Sequence, residues 1–180
     1  MIDMRNIHHD KSFQDALVVF NGKLIDQCKN ISACDWSVFK VPFLEYAQYR
    51  CPICEKLISK YDDVDHYRPK GQGLYPFLKC CYQNYMIMCD DCNREYKKTK
   101  FPLYDNFKAT NINEVHLEKP LLVNPMHDDI YELFELVFVN TISSKKILIL
   151  KPKDGLSDYL QKKAETTISV YGIGNCDENS

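Results

Sequence analysis

The sequence predicts an α+β chain. A zinc-stabilised core of strand, loop, strand and helix is preceded by helices and followed by a β-hairpin plus helix. Three observations carry this. Two cysteine pairs, Cys51/Cys54 in "CPIC" and Cys89/Cys92 in "CDDC", have metal-ligand spacing. Apolar residues over 11–28 recur at three- and four-residue steps. Two apolar, β-rich runs near the C-terminus flank "TISS".

The 180 residues suit one domain with elaborations, and 45% hydrophobic with 27% charged residues is ordinary for a packed globular chain. No apolar run reaches the ~18 residues of a membrane span. The N-terminal "MIDMRNIHHDKSF" has no apolar h-region, so a reducing cytoplasm is the expected compartment. There, clustered cysteines among the nine present are read as metal ligands. Two residues between thiols let one tight turn aim both sulfurs at one ion, and two such turns complete a tetrahedron around structural zinc. Thirty-four residues separate the pairs, which calls for a folded insert. Cys28, Cys34, Cys80, Cys81 and Cys176 show no matched spacing and are read as buried or incidental thiols.

Residues 1–50 read as a helical cover. Phe13, Leu17, Phe20, Leu24 and Cys28 line one face of a first helix, weakened by Gly22. Asp35 is a cap for a second, carrying Trp36, Phe39, Phe43, Leu44 and Ala47, which Pro42 should break or kink. Within 51–104, "DVDHYR" reads as a short strand and "PKGQGLYP" as a loop. "NYMIMC" reads as a second strand, and "DDCNREYKK" opens a helix with acids at its start. Within 105–180, "YELFELVFVN" and "KKILILKPK" make the hairpin, and Leu156, Leu160, Ala164 and Ile168 mark a last helix.

Charge is uneven. The stretch from His66 to Lys108 is formally +4 in a chain of −2. A basic run is most often a solvated face, so its neighbours decide its meaning.

Those neighbours are Asp65, His66, Asn84 and Asn93. Phosphodiester hydrolysis needs a proton acceptor for water, balance for charge on the phosphoryl oxygens, and a stabilised leaving oxygen. Neutral imidazole suits the first task near pH 7. A hard divalent cation, Mg²⁺ or Mn²⁺, supplies the others through oxygen ligands such as Asp65 and Asn93. Asn84 is placed to hold the imidazole in its rotamer and tautomer. Neighbours on a strand point to opposite faces, so joint work by Asp65 and His66 requires a bend, which Pro69 and the glycines after it permit. Arg68, Lys70, Lys97, Lys98 and Lys100 are candidate phosphate contacts. Tyr67, Tyr75, Tyr82, Tyr85 and Tyr96 read mostly as core. His127, Asp128 and Asp129 read as a turn with structural hydrogen bonds rather than a second metal cluster. His8 and His9 read as solvated, and His116 has no context.

The pattern "CPIC…VDHYRP…N…CDDCN…K" resembles the HNH endonucleases, the ββα-metal nucleases. Its D-H-x-x-P element, the Asn nine residues ahead of the terminal Asn, and the flanking cysteine pairs cover 51 to about 102. The resemblance implies a ββα-metal HNH core. It implies His66 as general base, Asp65 and Asn93 as ligands of a catalytic Mg²⁺ or Mn²⁺, Asn84 as orienting residue, and products with 5′-phosphate and 3′-hydroxyl ends. Asn93 replaces the final His of the family name and keeps an oxygen ligand. More broadly, "DHYRPK", "CNREYKKTKFPL" and "LLVNPMHDD" look like the HNH subunit of Septu-type antiphage systems and some retron-linked defence cassettes. That implies an ABC-class ATPase partner and a nucleic-acid target, DNA ahead of RNA, with more chain expected after the last helix. The alternatives are a non-catalytic zinc-finger module that binds nucleic acid or protein, and a standalone homing or restriction HNH nuclease.

Overall fold

The structure is a computed structural model and describes residues 1–23, 34–140 and 146–173. Helix α1 (Lys11–Lys23) starts where Asp10 accepts the Phe13 amide at 3.0 Å, a side-chain cap on an orphan donor. Phe13, Ala16 and Phe20 are buried along it. The expected positions Leu24 and Cys28 lie outside the described residues.

Asp35 caps as anticipated, accepting the Ser37 amide at 3.1 Å, but the turn it caps is a 3₁₀ turn, Trp36–Phe39. That turn runs directly into α2 (Lys40–Tyr46). Pro42 does not break α2. It occupies the first turn, where no amide has an intrahelical partner to lose. Phe39 is the centre of this cover. Its ring lies 5.3 Å from Phe13, 5.0 Å from Phe20 and 5.7 Å from Tyr85.

Tyr85 belongs to β2 (Tyr85–Met88), buried at all four positions. It pairs antiparallel with β1 (Asp63–His66), His66 opposite Tyr85. The Tyr67 amide donates to the Asn84 carbonyl at 2.7 Å and extends the ladder one step. The expected order of strand, loop, strand and helix is present, although the last element, Asp91–Lys97, is a π-type turn. The Lys98 amide reaches back to the Asn93 carbonyl at 2.8 Å. This wide turn keeps Cys92 and Lys97, five residues apart, on one buried side.

The C-terminal part has its own small core of Val123, Ile130, Leu133, Phe134 and Ala164. The hairpin β3 (Phe134–Asn140) and β4 (Lys146–Pro152) pairs in register from Phe134↔Pro152 to Asn140↔Lys146. The strand begins later than the sequence suggests. Asp129 accepts the amides of Tyr131 and Glu132, and this cap turns "IYEL" into a short helix, α3 (Ile130–Leu133). Helix α4 (Asp158–Tyr171) is capped by Ser157 and ends on Gly172 at φ 63°. A Cβ on Gly172 would stand 3.2 Å from the Tyr96 ring, so backbone and space both favour glycine there. Among the described residues no helix is long and apolar enough to cross a membrane.

One cysteine expectation is corrected. Cys34, Cys80 and Cys81, read as buried or incidental thiols, are disulfide-bonded, Cys34 to Cys80 across 46 residues. Spacing along the chain carries no signal for a bond that tertiary structure creates. Cys28 and Cys176 lie outside the described residues.

The fold makes a direct prediction. Phe39→Ala, at a fully buried site, should cost about 3–5 kcal/mol of unfolding free energy. Val41→Ala, 55% exposed on α2, should cost little. Urea titration of both variants checks the contrast, and equal losses would contradict this packing.

Candidate functional site

The four cysteines converge. Their Sγ atoms all lie within 4.8 Å of one another, with Cys54 and Cys89 at 3.6 Å. Thiolates at tetrahedral corners around zinc, with Zn–S ~2.3 Å, stand roughly 3.8 Å apart, so the set fits that ion. The first turn is shaped for it. The Cys51 amide donates to the Lys56 carbonyl at 2.8 Å, the Glu55 amide returns to Cys51 at 2.9 Å, and Glu55 takes φ 62°. The second turn sets the Cys92 amide 3.5 Å from the Cys89 sulfur. Among the described residues this is the His, Cys, Asp and Glu cluster able to hold an ion. The "HDD" stretch is structural. Asp128 accepts the Asn124 amide and the Lys163 ammonium, each at 2.7 Å, and Asp129 caps α3 and pairs with Arg5 at 2.6 Å.

The clasp positions the next residues. Cys92 anchors the wide turn that carries Asn93 and Lys97. Lys97 is fully buried. Its ammonium donates to Asp65 Oδ2 at 2.6 Å and to the His66 carbonyl at 2.8 Å. A surface phosphate contact, the role anticipated for Lys97, is therefore closed to it. The ammonium instead bolts the end of β1 to the helical turn. Asn93 is half-buried on that turn, and among the described residues no hydrogen bond occupies its side chain.

His66 faces away from Asp65, as strand alternation requires, with burial alternating along β1. Its ring is 2% exposed, between Trp36 at 5.4 Å and Tyr85 at 5.0 Å. Nε2 lies 2.8 Å from the Lys79 carbonyl. A carbonyl only accepts, so Nε2 carries the proton and Nδ1 keeps its lone pair. Among the described residues Nδ1 has no hydrogen-bond partner. Burial pushes the imidazole pKa down to about 4, with the Lys79 carbonyl opposing, which keeps the ring neutral near pH 7.

Asn84 orients something other than the imidazole. Its Oδ1 accepts the Arg68 amide at 2.7 Å and its Nδ2 donates to the Arg68 carbonyl at 2.9 Å. A side-chain amide that holds both backbone groups of one residue fixes the loop leaving β1. The sequence pattern found Asn84 but not its partner.

Of the other basic candidates, Lys70 is exposed and lies 3.9 Å over the Trp36 ring, with its pKa lowered by burial. Lys98 is exposed. Arg68 is pinned through Nε to Glu118 at 2.7 Å. Glu118, buried and 50 residues away, also accepts from Tyr75 at 2.8 Å and the Ala109 amide at 2.8 Å. No local motif announces Glu118.

Replacing Cys51 with Ser should lower bound zinc from about one per chain towards none and broaden or lower the thermal transition. Elemental analysis with a melting curve checks this. A zinc-free variant melting like the parent would remove the clasp from the account.

No family model matches the chain, and no solved structure matches it. Among curated proteins it is similar to the Septu protein PtuB of Bacillus mycoides (strain KBAB4), 33% identical over 138 residues that cover 69% of this chain and 42% of that protein. The chain thus spans about two fifths of the length of that relative.

Proposed function

We propose that the chain is a metal-dependent HNH endonuclease that hydrolyses phosphodiester bonds of nucleic acid, DNA ahead of RNA, as the effector of an antiphage system with an ABC-class ATPase. The observation that carries this is the state of His66. Its Nε2–H is committed to the Lys79 carbonyl, which leaves the Nδ1 lone pair unpartnered among the described residues, on the face of β1 opposite the Asp65 side chain. The ATPase rests on resemblance and on similarity to the PtuB relative.

Nδ1 of His66 takes a proton from water as the water oxygen attacks phosphorus, and the bond to the 3′-oxygen breaks. A pKa near 4 makes a weak base in the free protein. The negative charge of an arriving phosphate raises it, which strengthens the base when substrate is present. Asp65 Oδ1 and the Asn93 amide oxygen would hold Mg²⁺ or Mn²⁺, since Lys97 occupies only Oδ2. That ion, when bound, supplies charge balance on the phosphoryl group and the leaving oxygen. Asn84 fixes the loop after His66, and Lys70 and Lys98 are left to meet the backbone of the strand.

Labelled DNA and RNA incubated with Mg²⁺ or Mn²⁺ give the test. His66→Ala should lower cleavage by about 10²–10⁴-fold while zinc content stays at the parent value. Cleavage at the parental rate in His66→Ala, or turnover indifferent to divalent metal, would overturn the proposal.

A further inference from the structure

A cavity of about 760 Å³ opens beside the proposed active site, and Arg68, Asn84 and His127 are among the residues that line it. Arg68 follows His66 by two residues, and Asn84 precedes Tyr85, the cross-strand partner of His66. Arg68, one of the lining residues, therefore stands within roughly 7 Å of His66 along the chain.

Arg68 is presented to this space in a particular way. Nε is held by Glu118, whose side chain is fully buried, and Asn84 holds the Arg68 amide and carbonyl. Both ends of the residue are thus fixed. Among the described residues no hydrogen bond takes the two Nη groups, and the guanidinium packs 5.4 Å from the Tyr67 ring and 5.2 Å from the Phe101 ring. A guanidinium fixed at Nε with its Nη donors open is a fork set for a bidentate anion. The rest of the lining is mixed, with Cys81, Gln83 and His116 completing it. Leu78, Ile112 and Val115 form an apolar wall, and His127 adds a polar edge. The volume falls within the range of small-ligand sites, where an apolar wall and a few placed polar groups fix one orientation.

The geometry points to a nucleotide subsite: the cavity takes one unstacked nucleotide adjacent to the scissile phosphate, its phosphate on the Arg68 fork and its base against Leu78, Ile112 and Val115. A base reaches such a wall only after leaving the stack, so a single-stranded or distorted segment enters more readily than a regular duplex. This rests on the nuclease reading for its substrate and deepens it. A free mononucleotide has the same chemistry and is the other source of ligand.

The test is binding, without added divalent metal, so that no cleavage intervenes. Fluorescence anisotropy compares a labelled 12-nucleotide single strand with its blunt duplex, and AMP competes. Ile112 is 44% exposed, so Ile112→Trp fills the mouth with little risk to the fold. Arg68→Lys removes the fork and keeps the charge. Each variant should weaken single-strand binding by roughly tenfold to a hundredfold, with duplex binding changed less than threefold. Millimolar AMP that displaces the strand places a nucleotide in the cavity. AMP that binds with strand binding unaltered by Ile112→Trp assigns the cavity to free nucleotide and overturns the strand subsite. Unaltered strand binding in Ile112→Trp without AMP binding overturns the site altogether. These outcomes separate from the nuclease reading. Parental cleavage with an unaffected Ile112→Trp sinks only the subsite. Weakened strand binding in Ile112→Trp, beside a parent that never cleaves, leaves the subsite and sinks the nuclease.

Discussion

Four thiols set the geometry on which the remaining structure depends. A chain segment of 34 residues lies between the two cysteine pairs, and both strands of the β1–β2 pair lie in it. That pair is four residues long on each side, too short to hold itself together in water. The clasp closes the loop at one end. The aromatic cover around Phe39 packs on β2 from above. The helical turn after Cys89 is then held where Lys97 reaches Asp65 and the His66 carbonyl. Sulfur, aromatic packing and one buried ammonium thus act on the same two strands.

A polar framework does for the loops what the clasp does for the strands. Glu118 gathers Arg68, Tyr75 and the Ala109 amide, and Asn84 grips the Arg68 backbone. A buried carboxylate with three donors is satisfied, so it fixes one arrangement of the groups around it. Arg68 is consequently a rigid donor rather than a flexible surface cation. The Lys79 carbonyl plays a similar part for His66 and also accepts from Tyr85 Oη at 3.0 Å.

Much of this is legible in the sequence wherever the signal is local. The cysteine pairs, the strands around "DVDH" and "YMIM", the hairpin and the last helix each follow from spacing within a few residues. The misses are tertiary. Lys97 reads as a candidate phosphate contact because nothing within four residues shows that Asp65, 32 positions earlier, will meet its ammonium. The Cys34–Cys80 bond has no spacing to read. Asn84 is found by pattern, while its hold on Arg68 depends on a loop whose path only packing decides. Pro42 misleads for a different reason, since its effect depends on whether it falls in the first turn of a helix or further in.

The central claim is that the cysteine clasp brings Asp65 and Asn93 to one cation distinct from zinc. Anomalous diffraction from crystals grown with Mn²⁺, recorded at the zinc and manganese edges, tests it most directly. The account predicts zinc among the four sulfurs and manganese bonded to Asp65 Oδ1 and the Asn93 amide oxygen. Manganese at neither oxygen, with Lys97 still on Asp65, would contradict it.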